Sequence, residues 1–274
     1  MSEMHLMGAA MRAGELPQFI DWLAADHRDL EIQDPIYPGF LDGDWQKVAK
    51  ECRALLESSG YRGRVGIHAV FDGVDLSTHD VKIRAAITER LRESLAFGAE
   101  FGATHAVIHS PFLWFGSPLV YFAPEISRAY VRDGVHAVLE PLLPLAESLN
   151  QTFVIETIAD ANPRALVELV KSFDSPRVRL SIDTGHVFIM ERTGGAPPDQ
   201  WVLDADELLG HIHFQDNDAH ADRHWGIGDG RINWRAFFKA LHATGASPRM
   251  ILELLDVNDI LPSMRYLTEQ GLAR

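Results

Sequence analysis

The sequence contains one cysteine, Cys52, among its 274 residues. A single thiol cannot form an intramolecular disulfide, and this scarcity is typical of a protein in a reducing compartment. Cys52 lies in a stretch whose apolar residues recur at helical spacing. We therefore expect a small buried side chain at this position and not a catalytic nucleophile.

Long apolar runs are also missing from the sequence. None approaches the roughly 20 residues that a membrane-spanning helix needs. Residues 1–8 lack the basic start and the following apolar run that mark a signal peptide. We therefore expect a soluble, cytoplasmic protein without a membrane partner.

Basic residues are outnumbered by acidic ones, with 25 lysines and arginines against 39 aspartates and glutamates and a net charge of −14. A surface this acidic repels phosphate backbones, so we expect no nucleic-acid partner. The same balance still allows a cleft that is locally positive or lined by metal ions.

The sequence does contain a regular alternation of two kinds of segment. Short apolar or β-branched runs predict eight strands, at His5–Ala9, Leu30–Gln33, Arg64–Ala69, His105–His109, Thr152–Glu156, Val178–Asp183, Gly210–Gln215 and Met250–Leu254. Amphipathic stretches predict helices at Asp44–Ser59, Asp80–Phe101, Glu125–Leu149, Pro163–Phe173, Trp201–Leu209, Asn233–Thr244 and Asn258–Glu269. Asn162, just before Pro163, is a suitable N-cap.

Strict alternation predicts parallel strands joined by right-handed crossovers. Eight units in this length fit a closed barrel, which typically needs roughly 250 residues. We therefore predict an α/β protein, a single (β/α)8 TIM barrel that forms one catalytic domain over residues 1–274. The alternative, an open doubly wound sheet, normally has a G-x-G-x-x-G turn after its first strand. Residues 8–16 read GAAMRAGEL, which does not match that turn.

Most of the predicted strands end in a residue type that binds metals. These residues are His68, His109, Glu156, Asp183, His213 and Glu253. Active sites of such barrels lie at the C-terminal ends of the strands, so side chains distant in sequence converge there. A lone glutamate can simply be solvated at the rim, and a lone histidine can be a core residue. Six at equivalent positions favour a shared metal site, whereas His211, deeper on its strand, suits a structural hydrogen bond.

Two local motifs add to these strand ends. Asp183-Thr-Gly-His186 places a carboxylate and an imidazole where strand six ends. The segment from residue 213 to 234 contains Asp222 and His224, followed by Gly226-Ile-Gly228-Asp-Gly230. Glycines permit unusual backbone angles and close approach, which suits a loop that folds over a site.

These motifs give the chain a family resemblance. Its VIE at Glu156, DTGH at Asp183–His186, HIHFQD at His211–Asp216, DRHWGIGDG at Asp222–Gly230 and ILE at Glu253 resemble those of the xylose isomerase-like barrel superfamily. In the first half of the chain, LEIQ at Leu30–Gln33, His68 and His109 are similar to it as well. This superfamily contains sugar isomerases and epimerases, inosose dehydratases and apurinic endonucleases.

The resemblance implies a divalent metal (manganese, magnesium, cobalt or zinc) held by Glu156, Asp183, His213 and Glu253. It also implies that Glu156 and Glu253 act as acid and base on a carbohydrate-like substrate, and that His186 contacts that substrate. The implied reaction is an isomerisation or epimerisation through an enediolate, or a related dehydration. Ketose 3-epimerases have an arginine where this chain has Ala219, and Arg223 is offset from that position.

The resemblance leaves other functions open. Apurinic endonucleases use three zinc ions, and the matching positions here all carry suitable ligands: His68, His109, Glu156, Asp183, His186, His213, Asp222, His224 and Glu253. A multi-zinc phosphodiester hydrolase is therefore one alternative, which the acidic net charge disfavours. A binding barrel that has lost catalysis is the other, which the intact ligand set disfavours.

Aromatic residues near the strand ends suggest pocket walls. The loop from residue 110 to 116 contains Trp114, and Trp225 follows His224. Each ring either lines a substrate pocket or packs against another loop or a second subunit of a homo-oligomer. No cluster of lysine and arginine marks a phosphate site at the strand ends, which favours an unphosphorylated polyol, keto-sugar or hydroxy acid.

Overall fold

Eight parallel strands close into a barrel in a computed structural model that describes residues 4–112 and 124–274. Each strand pairs with the next in chain order, and the eighth pairs with the first. The strands are β1 Gly8–Met11, β2 Leu30–Ile32, β3 Val65–His68, β4 His105–His109, β5 Thr152–Glu156, β6 Val178–Asp183, β7 Leu209–Phe214 and β8 Arg249–Leu252. This confirms the predicted (β/α)8 TIM barrel. Trp114 lies outside the described residues.

Helices occupy the connections between the strands. They are α1 Leu16–Asp26, α2 Pro38–Leu41, α3 Trp45–Ser58, α4 Val81–Ala99, α5 Pro124–Leu139, α6 Leu143–Ser148, α7 Pro163–Ser172, α8 Thr184–Glu191, α9 Pro198–Ala205, α10 Trp234–Thr244 and α11 Ile260–Glu269. Asn162 caps α7 as predicted, because its side chain accepts a hydrogen bond from the backbone N–H of Arg164. Among the described residues, no helix combines the length and apolarity needed to cross a membrane.

Several predicted elements differ from the structure in their bounds. The predicted helix Glu125–Leu149 is interrupted by a 3-10 turn at Glu140–Leu142, because Pro141 and Pro144 each lack the N–H that a continuous helix needs. The helices α1, α2 and α8 were not among the predicted elements.

The first strand begins three residues later than predicted. His5 does not belong to it and instead forms an isolated bridge with Ala273 near the end of the chain. Gly8, the first residue of β1, lies so close to β2 that a Cβ atom there would be 1.9 Å from the carbonyl oxygen of Asp29. A glycine is therefore required for this approach of β1 to β2.

Apolar side chains from strands and helices form one large buried core. Cys52 belongs to it, which confirms that its side chain is buried. Burial, followed by the nearby charges of Asp34 and Glu51, raises the pKa of its thiol to about 12. The thiol is therefore protonated and unreactive at neutral pH.

The barrel also contains buried polar side chains, namely Glu31, His68, His105, Glu156, Ser181, Asp183, His211 and His213. The ring of His105 lies over Gly66 of β3, where an added Cβ atom would be 1.8 Å from its Cε1 atom. Residue 66 must therefore be glycine for this imidazole to fit.

We expect Gly66→Ala to destabilise the fold by about 1–3 kcal/mol or more, because the new methyl group overlaps the buried ring of His105. Gly14→Ala is the matched control, since no atom lies within 4 Å of a Cβ there. Urea unfolding would measure both variants. Equal midpoints for Gly66→Ala and Gly14→Ala would contradict the described position of His105.

Candidate metal centre

Nine side chains at the C-terminal mouth of the barrel form three groups that could each hold a metal ion. The groups are His68, His109 and Glu156; Glu156, Asp183, His213 and Glu253; and His186, Asp222 and His224. Within each group, the potential ligand atoms all lie within 4.8 Å of one another. The nine candidate ligands predicted from the sequence are thus brought together, and Glu156 is shared by two groups.

The second group, which we call the central group, comes from four neighbouring strands. Glu156 ends β5 and Asp183 ends β6, where Asp183 pairs in register with His213 of β7. Glu253 directly follows β8, and its N–H donates to the carbonyl of Phe214. Nδ1 of His213 lies 2.7 Å from Oε1 of Glu156 and 3.3 Å from Oε2 of Glu253.

The central group fits a divalent cation. Oε2 of Glu156 and Oδ2 of Asp183 are buried and, among the described residues, make no hydrogen bond. Buried carboxylate oxygens are costly unless they are paired or bind a metal. Three carboxylates and one imidazole form the mainly oxygen donor set that suits magnesium, manganese, cobalt or zinc.

Asp183 has its orientation set by the helix that it begins. It is the N-cap of α8, and its Oδ1 accepts the backbone N–H of His186 at 2.7 Å. This bond occupies one carboxylate oxygen and leaves Oδ2 for the central group. In the D-T-G-H motif, Asp183 is therefore both the N-cap of the helix and a candidate metal ligand.

The first group extends the site toward β3 and β4. Nε2 of His68 and Nε2 of His109 lie 3.4 and 3.6 Å from Oε2 of Glu156. His68 is fully buried, whereas His109 is partly exposed and stacks on Phe71 with ring centroids 4.2 Å apart. Phe71 in turn packs against Tyr37, so an aromatic wall flanks this side of the mouth.

The third group, which we call the outer group, lies nearer to solvent. Oδ2 of Asp222 is 3.2 Å from Nε2 of His186 and 3.2 Å from Nε2 of His224. The side chain of Asp222 is 47% exposed, in contrast to the buried central carboxylates. An ion in this group would therefore face solvent or substrate.

Three of the imidazoles share one hydrogen-bonding arrangement. The Nδ1 atoms of His68, His186 and His224 face the backbone carbonyls of Ala69, Thr157 and Glu253, at 2.9, 2.8 and 3.0 Å. A carbonyl can only accept, so Nδ1 carries the proton and Nε2 is directed at the carboxylates. Such bonds fix ring orientation in metal sites.

Burial and charge pull the pKa values of the central group in opposite directions. Burial raises the pKa of Glu156, but His213, His68 and His109 outweigh it and hold that pKa well below its usual range. Burial lowers the pKa of His213, but the surrounding glutamates raise it well above its usual range. In Asp183 burial dominates, and its pKa rises to about 6.

The outer group is dominated by attraction between opposite charges. Burial opposes ionisation of all three residues, yet the two imidazoles lower the pKa of Asp222. The pKa of His224 rises to about 10 and that of His186 well above its usual range, because carboxylates surround both rings. Without a metal, the central and outer groups therefore pair carboxylates with protonated imidazoles, whereas burial lowers the pKa of His109 in the first group to about 3.

Two glutamines at the site were not identified from the sequence. The Nε2 atom of Gln215 donates to Asp222 at 2.6 Å and to Asp183 at 3.3 Å, which connects the outer and central groups. The Nε2 atom of Gln33 donates to Oε1 of Glu253. Both are amides that hold a candidate ligand in place.

A buried glutamate, Glu31, was missed as well. It lies beneath the central group and contacts His213. Glu31 and Gln33 are two residues apart on β2, so the period of a strand places both on one face. In the sequence, a charged residue inside the apolar run of β2 was the signal that could have identified Glu31.

Residue 219, where ketose 3-epimerases have an arginine, lies in a turn of the backbone. Ala219 is in the left-handed region, with a φ of 64°. Arg223 contacts Asp218 at 3.3 Å and lies over the ring of Trp225. The guanidinium of Arg192 contacts the carbonyl of Ala219 at 3.2 Å. That Trp225 lines a pocket stays a prediction.

Comparison with known proteins finds similar chains and similar folds. A curated ketose 3-epimerase from Arthrobacter globiformis is 26% identical over 196 residues, which cover 70% of this chain and 64% of that enzyme. The crystal structure of a D-tagatose 3-epimerase-like protein matches with a TM-score of 0.77 at 20% identity, covering 97% of this chain and 98% of that one. The structure of the TTHB071 protein from Thermus thermophilus, soaked with ZnCl2, matches with a TM-score of 0.72 at 24% identity over 98% and 99% of the two chains.

The two structural likenesses concern the fold. The family is shown by a separate comparison, in which the model of the xylose isomerase-like TIM barrel matches residues 29–271. That range includes all nine candidate ligands. The chain therefore belongs to the xylose isomerase-like TIM barrel family.

Proposed function

We propose that the protein is a divalent-metal-dependent isomerase or epimerase that acts on a sugar, keto-sugar or polyol-like substrate. The observation that carries the proposal is the central group, in which two glutamates from different strands, Glu156 and Glu253, flank one imidazole. The names of two similar proteins, a ketose 3-epimerase and a D-tagatose 3-epimerase-like protein, support the substrate class.

The metal would be held by Glu156, Asp183, His213 and Glu253. A bound divalent cation supplies Lewis-acid polarisation of a substrate carbonyl, which stabilises the negative charge that develops when an α proton leaves. One protein with a similar fold had its structure determined after soaking with ZnCl2.

The two glutamates are suited to move a proton. Glu253 is partly exposed, and its Oε1 is held by Gln33. Glu156 is buried, and its Oε1 is held by His213. One carboxylate can remove a proton from one face of the substrate while the other returns it on the opposite face. His186 belongs to the outer group and lies 3.7 Å from Asp183 of the central group, and it would orient a substrate hydroxyl.

An unphosphorylated substrate fits the described charges. Arg223 is engaged by Asp218, and Arg192 by the carbonyl of Ala219 and the ring of His220. The candidate ligands contribute carboxylates to the mouth, which disfavour a phosphate group there. A neutral polyol or keto-sugar is therefore the substrate class that we propose.

We expect Glu156→Gln and Glu253→Gln each to lower turnover by about 10²–10⁴-fold, because an amide keeps the shape but cannot act as a base. The assay is proton NMR of a panel of unphosphorylated keto-sugars in deuterated water with added metal. The wild-type enzyme should place deuterium at the carbon that loses its proton, unless the base holds that proton without exchange.

Metal content separates loss of the base from loss of the ion. Each variant should therefore be measured for bound metal as well as for turnover. A metal-loaded Glu156→Gln or Glu253→Gln protein with wild-type turnover would rule out that residue as an essential base.

A second candidate function is a multi-zinc phosphodiester hydrolase resembling apurinic endonuclease. The specific observation in its favour is that all three groups have a full set of candidate ligands. The net charge of −14 opposes it, because nucleic-acid backbones are repelled by an acidic surface.

Elemental analysis of the purified protein should give one divalent ion per chain for the isomerase, and three would favour the hydrolase. Glu253→Ala should lose the ion of the central group, whereas His224→Ala, in the outer group, should retain it. Removal of the ion with EDTA should lower Tm by roughly 5–10 °C, given an ion concentration about 100 times Kd before removal. A metal-free wild type with unchanged Tm would oppose both candidate functions.

We expect no cleavage of duplex DNA that contains an abasic site, at moderate salt and low enzyme concentration. A gel assay with added zinc or magnesium tests this. Cleavage that EDTA abolishes and that His109→Ala loses would promote the hydrolase above the isomerase.

A further inference from the structure

Beneath the mouth of the barrel lies Glu31 of β2, a fully buried carboxylate surrounded by imidazoles. Its Oε1 is 2.9 Å from Nε2 of His213, and its Oε2 is 3.2 Å from Nε2 of His105. Nε2 of His211 lies 3.1 Å from the same Oε2. All three rings are fully buried as well. One carboxylate thus faces three imidazoles through the same ring nitrogen.

The contacts of this cluster assign the ring protons. A carboxylate can only accept, so the Nε2 atoms that face Glu31 carry protons. The hydroxyl of Ser181 is 2.8 Å from Nδ1 of His211 and donates to it, which leaves the proton of that ring on Nε2. Because His105 and His213 donate hydrogen bonds to the carboxylate, the cluster is a buried polar layer rather than another cation site; Nε2 of His211 lies 3.1 Å from the carboxylate without making a hydrogen bond to any residue that the structure describes.

His213 differs from the other candidate ligands in how its ring is held. The rings of His68, His186 and His224 are fixed by backbone carbonyls through Nδ1. His213 is fixed through Nε2, and its Nδ1 faces the central group instead. Its partner is a side chain, Glu31, whose place on β2 is set by the barrel.

We propose that Glu31 is a positioning residue, which fixes the tautomer and orientation of His213 so that Nδ1 is available to a metal ion in the central group. The proposal rests on the proposed function in one respect, namely that the central group binds metal. It goes beyond that function by assigning a role to a residue outside the central group.

His105 and His211 have a supporting part. Burial, aided by Arg249, lowers the pKa of His105 to about 3, and burial lowers that of His211 to about 4. The geometry places the Nε2 proton of His105 toward Oε2 of Glu31, and the hydroxyl of Ser181 occupies Nδ1 of His211. Burial raises the pKa of Glu31, but the three rings outweigh it and hold that pKa well below its usual range.

Replacing Glu31 with glutamine changes this layer in a defined way. An amide has one acceptor oxygen and one donor nitrogen, so it cannot accept from all three rings. In one orientation its N–H₂ group opposes the N–H of His213, and in the other it opposes His105 and His211. Loss of such a partner behind a ligating histidine typically weakens metal binding by about 10–100-fold.

The test measures zinc affinity by competition with a chromophoric chelator, in wild type, Glu31→Gln and Ser181→Ala. Ser181→Ala is the matched control, because it alters the same buried layer at His211 but leaves the contact between Glu31 and His213. We expect Glu31→Gln to weaken zinc binding by about 10–100-fold and Ser181→Ala to change it by less than about threefold.

A second readout separates positioning from general damage to the fold. Long-range proton–nitrogen NMR correlation of the zinc-bound protein reports which nitrogen of His213 is protonated. We expect a protonated Nε2 in wild type and Ser181→Ala, and a loss of that single pattern in Glu31→Gln. If Glu31→Gln fails to fold, Glu31→Asp keeps the charge but shortens its reach, and it should show the same direction of change.

The outcomes distinguish the two proposals. Wild type that binds no zinc would overturn the metal site itself. Wild type that binds zinc, with folded Glu31→Gln or Glu31→Asp matching its affinity and NMR pattern, would overturn the role of Glu31 alone.

Discussion

The mouth of the barrel depends on the pairing of buried carboxylates with imidazoles. Glu156 and Asp183 are almost completely removed from water, a position that costs several kcal/mol for an unpaired charge. His213 lies between Glu31 and Glu156 and offsets part of that cost. Oxygen atoms of Glu156 and Asp183 nevertheless stay without hydrogen bonds in the described part of the chain. Such incompletely satisfied charge is tolerable where an ion completes the set.

Much of the fold and of the candidate site was predictable because both follow from simple periodicities. Alternating strand and helix patterns predict a barrel, and a barrel brings every strand end to one rim. Residues such as His109 and Glu253 could therefore be placed together although they lie in opposite halves of the sequence. The prolines at 141 and 144 also carried the signal for a helix break, which the amphipathic pattern of that segment concealed.

Other features depend on contacts that a local pattern cannot show. The apolar run at the start of the chain does not reveal that His5 pairs with Ala273, since that partner lies at the far end of the sequence. The roles of Gln33 and Gln215 depend on which neighbouring side chain each amide reaches. In the same way the family follows from the barrel and its motifs, whereas substrate choice on such folds generally depends on loops.

The double membership of Glu156 has a consequence for how ions would occupy the mouth. This carboxylate belongs both to the central group and to the group of His68 and His109. An ion in one group would bind the negative charge of Glu156, which an ion in the other group also needs. The same ion would orient the side chain of Glu156 for both groups. The two binding events would then be thermodynamically linked, and each would change the affinity of the other by the same factor. Occupancy of the mouth would therefore be cooperative, in either direction, and not a sum of independent sites.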